Sequence, residues 1–111
     1  MGVVSSPLRF DVYLVELDPT RGSEIQKTRP CLVVSPDEMN RYLRTAIVAP
    51  MTTGGKDYPS RIPVKFQGKD GRVALDQLRT VDRSRLVKSL GQLVPGECEA
   101  VSKCLGKMFA L

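Results

Sequence analysis

Residues 10–17 (FDVYLVEL) alternate polar with apolar side chains for part of their length and stop at Asp18-Pro19, which predicts a β-strand closed by a turn. Residues 18–28 (DPTRGSEIQKT) combine Pro, Gly and polar side chains and predict an exposed loop. The run at 31–34 (CLVV) suits a strand buried on both faces, and Pro30 fits just ahead of it, because a strand tolerates proline at its first residue. Ser35-Pro36-Asp37-Glu38 has the spacing of a capping box with Pro at the first helical position. Ser35 is therefore expected to cap a short helix reaching about residue 43.

Residues 45–51 (TAIVAPM) read as another strand, and Thr53-Gly54-Gly55 opens a loop that runs to about residue 60. Residues 62–66 alternate, Gly71 is expected to mark a turn, and residues 72–75 follow as a strand. Shorter strands are expected near 78–81 and 90–94. Over 96–111, Cys98, Val101, Leu105, Met108 and Phe109 recur at helical spacing and paint one apolar face to pack on the sheet. Many short strands with turns between them and a closing helix predict a mainly β protein, a small, partly closed barrel of antiparallel strands with a C-terminal α-helix. The 111 residues suit one domain, expected over 9–111 behind a flexible tail at 1–8.

Composition narrows the chemistry. Residues 1–8 lack the apolar run of a signal peptide and no stretch has the length of a membrane span, so a cytoplasmic protein with no membrane partner is expected. Three widely spaced cysteines do not make a secreted disulfide framework. Cys98 and Cys104 are expected on different helix faces, which rules out a shared ligand role, and Cys31 is expected to act as a small apolar residue. A net charge of +5 and a pI near 9.4 point mildly to a polyanionic partner. The complete absence of histidine excludes His-based triads and paired-histidine ribonuclease chemistry. With no cysteine cluster either, no metal and no cofactor are expected. Tryptophan is absent, so a stacking platform for several bases would be thin.

Three stretches in order, DVYLVELDPTRGSEIQKTRPCLVVSP at 11–36, AIVAPMTT at 46–53 and DQLRTVD at 76–82, resemble the MazF/PemK toxin family of endoribonucleases. The resemblance runs over roughly residues 9–111. It implies an SH3-like barrel of the CcdB/PemK/MazF type, a homodimer, and metal-independent, sequence-specific cleavage of single-stranded RNA. It also implies a cognate acidic antitoxin that inhibits the enzyme and joins it in repressing their operon, operator DNA being bound only by that complex. Phe10 stands where many members have Gly, Ser23 where some have His, and Ala74 where some have Arg. Acid–base chemistry through that His and Arg is closed to this chain. One alternative is a same-fold toxin that inhibits gyrase; those use C-terminal residues including a Trp, whereas this chain ends KMFAL. A non-catalytic nucleic-acid-binding barrel, which needs only the basic charge, is the other.

Metal-free RNA cleavage sends the neighbouring 2′-hydroxyl onto phosphorus, giving a 2′,3′-cyclic phosphate and a 5′-hydroxyl. The protein must align the phosphate, stabilise charge on its oxygens and move two protons. Arg29 matches the family's active-site arginine, and its planar fork can hold two phosphate oxygens. Thr52 matches the catalytic threonine: its hydroxyl can donate to a phosphate oxygen or hold the attacking 2′-hydroxyl, although a strand-end threonine also caps turns. Thr53 beside it carries the same group. A guanidinium holds its protons too tightly to act as a general base, so Arg29 is a charge stabiliser or late acid. Glu24 and Asp76 are the acid–base candidates, the first alternatively a solvated loop charge and the second a turn tie. Ser23, Glu24, Thr53 and Gln77 are the candidates for substrate binding; the Gln77 amide suits either a base edge or a strand-to-loop bond.

Overall fold

Period-two alternation sorts the apolar side chains of this chain between two faces of one sheet. In β2 (Thr28–Val33), Leu32 joins one core while Cys31 and Val33 join the other, and residues 31–34 are all buried, as a strand covered on both faces requires. β1 (Asp11–Glu16) divides in the same way, Val12 to the first core and Val15 to the second. The computed structural model describes residues 6–111. The remaining elements are α1 (Asp37–Tyr42), β3 (Thr45–Thr52), β4 (Arg61–Phe66), β5 (Lys69–Ala74), β6 (Arg79–Asp82), β7 (Leu86–Gln92) and α2 (Pro95–Met108).

All strand pairs are antiparallel, and the strands run β4-β5-β3-β2-β1-β7 with β6 also paired to β3. The result is the expected mainly β half-barrel closed by a C-terminal helix. On one edge β3 pairs with β6 over Thr45–Val48 and then with β5 at Met51 and Thr52. Pro50 falls between those two ladders, where its missing N–H removes no hydrogen bond from that edge.

Several local expectations are corrected. Gly71 is not a turn but lies inside β5, and a Cβ there would sit 2.7 Å from the Thr52 carbonyl oxygen. The turn is Gln67-Gly68, both with positive φ (51° and 77°), joining Phe66 to its ladder partner Lys69 in a two-residue hairpin. Ser35 does not cap α1. Pro36 occupies the N-cap with no side-chain bond, while the buried Ser35 hydroxyl donates to Asn40 Oδ1 and accepts from the Ile47 amide. That swap ties α1 to β3 through polar groups that would otherwise lie unpaired in the interior.

The two weaker strand expectations shift to Arg79–Asp82 and Leu86–Gln92. α2 ends at Met108, and Phe109, 69% exposed, leaves the helix rather than packing on the sheet. Its covered face is Val101 with Cys98, Cys104 and Leu105. Cys98 and Cys104 therefore both flank the same packed face, at Val101, each donating weakly to a backbone carbonyl. Of the tail expected over 1–8, residues 1–5 lie outside the described residues. Pro7 is fully buried and the Leu8 amide donates to Asp11 Oδ2 at 2.8 Å, so packing begins ahead of residue 9.

Gly71→Ala tests the close approach of β5 to β3. Backbone cannot yield as a flexible side-chain end would, so the variant should lose about 1–3 kcal/mol of stability. A urea titration should show a lower midpoint with unchanged slope.

Candidate active site

Strand register brings the two principal candidates together. β2 and β3 pair with Cys31 opposite Pro50, and continuing that antiparallel register two residues sets Arg29 across from Thr52. Opposed residues share a face, so both side chains look into the same cleft. Arg29 is anchored: its Nε donates to the Gln26 carbonyl at 2.8 Å, which leaves the paired terminal amines without a partner among the described residues. Thr52 Oγ1 donates to the Gly54 carbonyl at 3.0 Å, which uses its proton in the turn and leaves its lone pairs to accept.

The cleft has a volume of about 520 Å³, with Ser23, Glu24, Gln77 and Thr53 around Arg29 and Thr52. Two loops form its walls. The 18–27 loop is closed at its stem by Asp18, whose Oδ1 accepts from the Lys27 amide at 3.0 Å, and by Leu17 N–H donating to the Lys27 carbonyl. Farther out, Gln77 Oε1 accepts from the Ile25 amide at 2.7 Å and Nε2 donates to the Ser23 carbonyl at 3.4 Å. Gln77 is thus the strand-to-loop bonder that holds the wall. Glu24 is exposed and turns one oxygen back to the Arg21 amide. Among the residues lining this cleft it is the one carboxylate.

Asp76 is placed apart. It lines a neighbouring cleft of about 550 Å³ that shares Ser23, Glu24, Ile25 and Gln77 but not Arg29 or Thr52. Arg61 grips it with two bonds, Nε to Oδ1 at 2.6 Å and a terminal amine to Oδ2 at 2.9 Å, and the Ser60 hydroxyl adds a third at 3.0 Å. Those bonds from Arg61, more than the one from Ser60, hold the Asp76 carboxyl below the usual carboxylate range against the opposing effect of burial. A carboxylate so held is a poor proton acceptor. Arg61 itself lines the cleft with Arg29 and Thr52, and nothing in its local sequence marks it: only the register, Arg61 opposite Ala74, carries it there.

Burial pushes the Cys31 thiol up to about 12, so it is an inert apolar residue rather than a nucleophile. Among the described residues no three His, Cys, Asp or Glu side chains gather as a metal site. No helix is long and apolar enough to cross a membrane.

The fold is a small antiparallel half-barrel, with an anchored arginine set opposite a threonine across an open cleft. Residues 8–109 match the family described as PemK-like, MazF-like toxin of type II toxin-antitoxin system. The protein named Endoribonuclease MazF of Staphylococcus saprophyticus is 33% identical over 105 residues, spanning 87% of this chain and 86% of that one. The crystal structure of MazF from Deinococcus radiodurans superposes with a TM-score of 0.83 at 27% identity, covering 96% of this chain and 98% of that one. A MazE-MazF structure from the same organism matches at 25% identity and a TM-score of 0.73, over 93% and 95% of the two chains. The chain belongs to the PemK-like, MazF-like toxin family.

The Arg61–Asp76 pair gives an acid-side signature. Because the folded pKa of Asp76 is depressed, its contribution is present above the unfolded value of about 3.9 and is lost as pH falls through the lower folded value. The stability deficit of Asp76→Asn relative to wild type should therefore be largest near neutral pH and shrink below about pH 4. Paired urea titrations at pH 7 and pH 3 check this.

Proposed function

We propose that this chain is an endoribonuclease toxin that cuts single-stranded RNA, mRNA included, at the Arg29–Thr52 cleft, without a metal. The observation that carries the reading is the anchored Arg29 fork, without a partner at its tip among the described residues, lying across from a hydroxyl whose proton is given to Gly54. Arg29 takes two oxygens of the scissile phosphate and stabilises the charge that grows on them. Thr52 accepts from the 2′-hydroxyl before attack and aligns its oxygen with phosphorus, and the hydroxyl proton swings from Thr52 to Glu24 as attack begins. The 2′ oxygen forms its bond to phosphorus as the bond to the 5′ oxygen breaks, leaving a 2′,3′-cyclic phosphate. Glu24 takes the 2′ proton, being the carboxylate on the cleft, an Arg29 N–H protonates the departing 5′ oxygen, and the proton on Glu24 then restores the guanidinium. Gln77 sets the shape of the 18–27 wall, and Ser23 and Thr53 offer hydroxyls beside it for base recognition.

The relative seen as MazE-MazF supports a cognate antitoxin here as well. An acidic, disordered tail would lay carboxylates against Arg29 and gain order on binding. In this reading the chain works as a cytoplasmic homodimer whose 18–28 and 53–61 loops flank the RNA groove, and it meets operator DNA only in complex with the antitoxin.

Purified protein should cut a long RNA in excess EDTA and leave cyclic phosphate ends. Loss of cutting with chelator and its return with magnesium would refute the metal-free mechanism. Arg29→Ala and Thr52→Ala should each lower turnover about 10²- to 10³-fold with the fold intact by circular dichroism; near-normal turnover in either moves the site elsewhere. Antitoxin peptide and an uncleavable RNA should compete in calorimetry, both weakened by salt. RNA affinity unchanged by saturating peptide would exclude inhibition by occlusion.

A further inference from the structure

Arg61 reaches the cleft from a different strand and with a different electrostatic character from Arg29. Opposite it in the β4–β5 ladder stands Ala74, fully buried, and the Arg61 side chain reaches Asp76, two residues farther along the chain. The guanidinium is also held by Tyr58, its carbon lying over the ring at 5.7 Å from the ring centre. Asp76 takes Nε and Nη2, which leaves the other terminal nitrogen, Nη1, outside that pair. Nη1 faces the 54–55 loop, 3.7 Å from where a side chain on Gly55 would begin. Neither Gly54 nor Gly55 puts a side chain in that space, so it is open to a passing strand.

Resting on the endoribonuclease reading, we propose that Arg61 is a second phosphate-binding residue of the cleft, gripping an RNA phosphate next to the scissile one, and that Asp76 is its positioning residue. Among the described residues Arg29 has no carboxylate partner, so its charge answers the charge that develops in the transition state. Arg61 is paired with a carboxylate, so its field is largely neutralised while its remaining N–H groups stay fixed in direction. Such a group binds substrate and transition state alike. It lowers KM and leaves the chemical step alone.

The test uses the full chain and an RNA carrying a 2′-deoxy substitution at the cut site, with cleavable RNA measured in parallel. Arg61→Ala should weaken binding about tenfold, lower the slope of log affinity against log salt by about 0.7, and leave kcat at saturation within about threefold. Asp76→Asn should weaken binding in the same direction, and the double variant should bind no worse than Arg61→Ala. Arg61→Lys, which keeps the charge but loses the fork, serves if the alanine variant fails to fold; it should keep the wild-type salt slope and raise KM. A folded Arg61→Ala protein with wild-type affinity and salt slope would overturn the proposal, as would a fall in kcat at unchanged affinity. Wild-type protein that neither binds nor cuts RNA would instead overturn the underlying reading, and this one with it.

Discussion

β3 must satisfy two different neighbours along a single edge, and the geometry of the cleft follows from where it changes between them. It leaves β6 after Val48 and takes β5 at Met51, with Pro50 between. On its other edge the Cys31–Pro50 pair fixes the register with β2, and that register alone aligns Arg29 with Thr52. A slip of one residue would turn Thr52 to the opposite face and leave Arg29 facing an apolar side chain. Burial of Leu32 on one face and Cys31 and Val33 on the other makes that slip costly, so the packing of the core enforces the site.

The basic excess has more to do with construction than a net charge of +5 suggests. Arg79 donates to the Leu17 carbonyl and Arg85 to those of Glu16 and Asp18, so two arginines secure the stem of the first loop. Arg72 pairs with Asp57 and braces the second loop, while Arg61 holds Asp76. Each loop carries several backbone groups that no strand ladder satisfies, and long forked donors reach them from neighbouring strands. Arg29 is likewise anchored on a carbonyl, that of Gln26, and unlike Arg61 and Arg72 it has no carboxylate partner among the described residues, so its charge is not cancelled there.

A cleft without histidine has to handle protons with groups poorly matched to neutral pH. Asp76 is held in its charged form by Arg61, and the Cys31 thiol is locked in its neutral form by burial. What remains is an exposed carboxylate, a hydroxyl and a guanidinium whose strength is charge rather than proton exchange. Positioning and electrostatic stabilisation therefore carry the proposed chemistry, with water access through an open cleft rather than an enclosed pocket.

By itself the sequence determined what depends on near neighbours. Alternation placed β1 and β4, the continuous apolar run at 31–34 placed β2, helical spacing placed α2 around Val101, and the 11–36, 46–53 and 76–82 stretches carried the family. Local chemistry also placed Arg29 and Thr52 at the ends of strands that buried runs would hold rigid. Where the local signal had two uses, tertiary structure decided between them. Ser35 looked like a cap because of its spacing, yet the interior of the fold offered it Asn40 and Ile47. Gly71 looked like a turn, yet it is needed where β5 presses on the Thr52 carbonyl. Arg61 showed no signal at all, since its place depends on pairing with a residue 13 positions away and on a carboxylate beyond it. Cross-strand register is a property of the folded sheet: it is fixed by which faces are buried together, and no window of consecutive residues contains it.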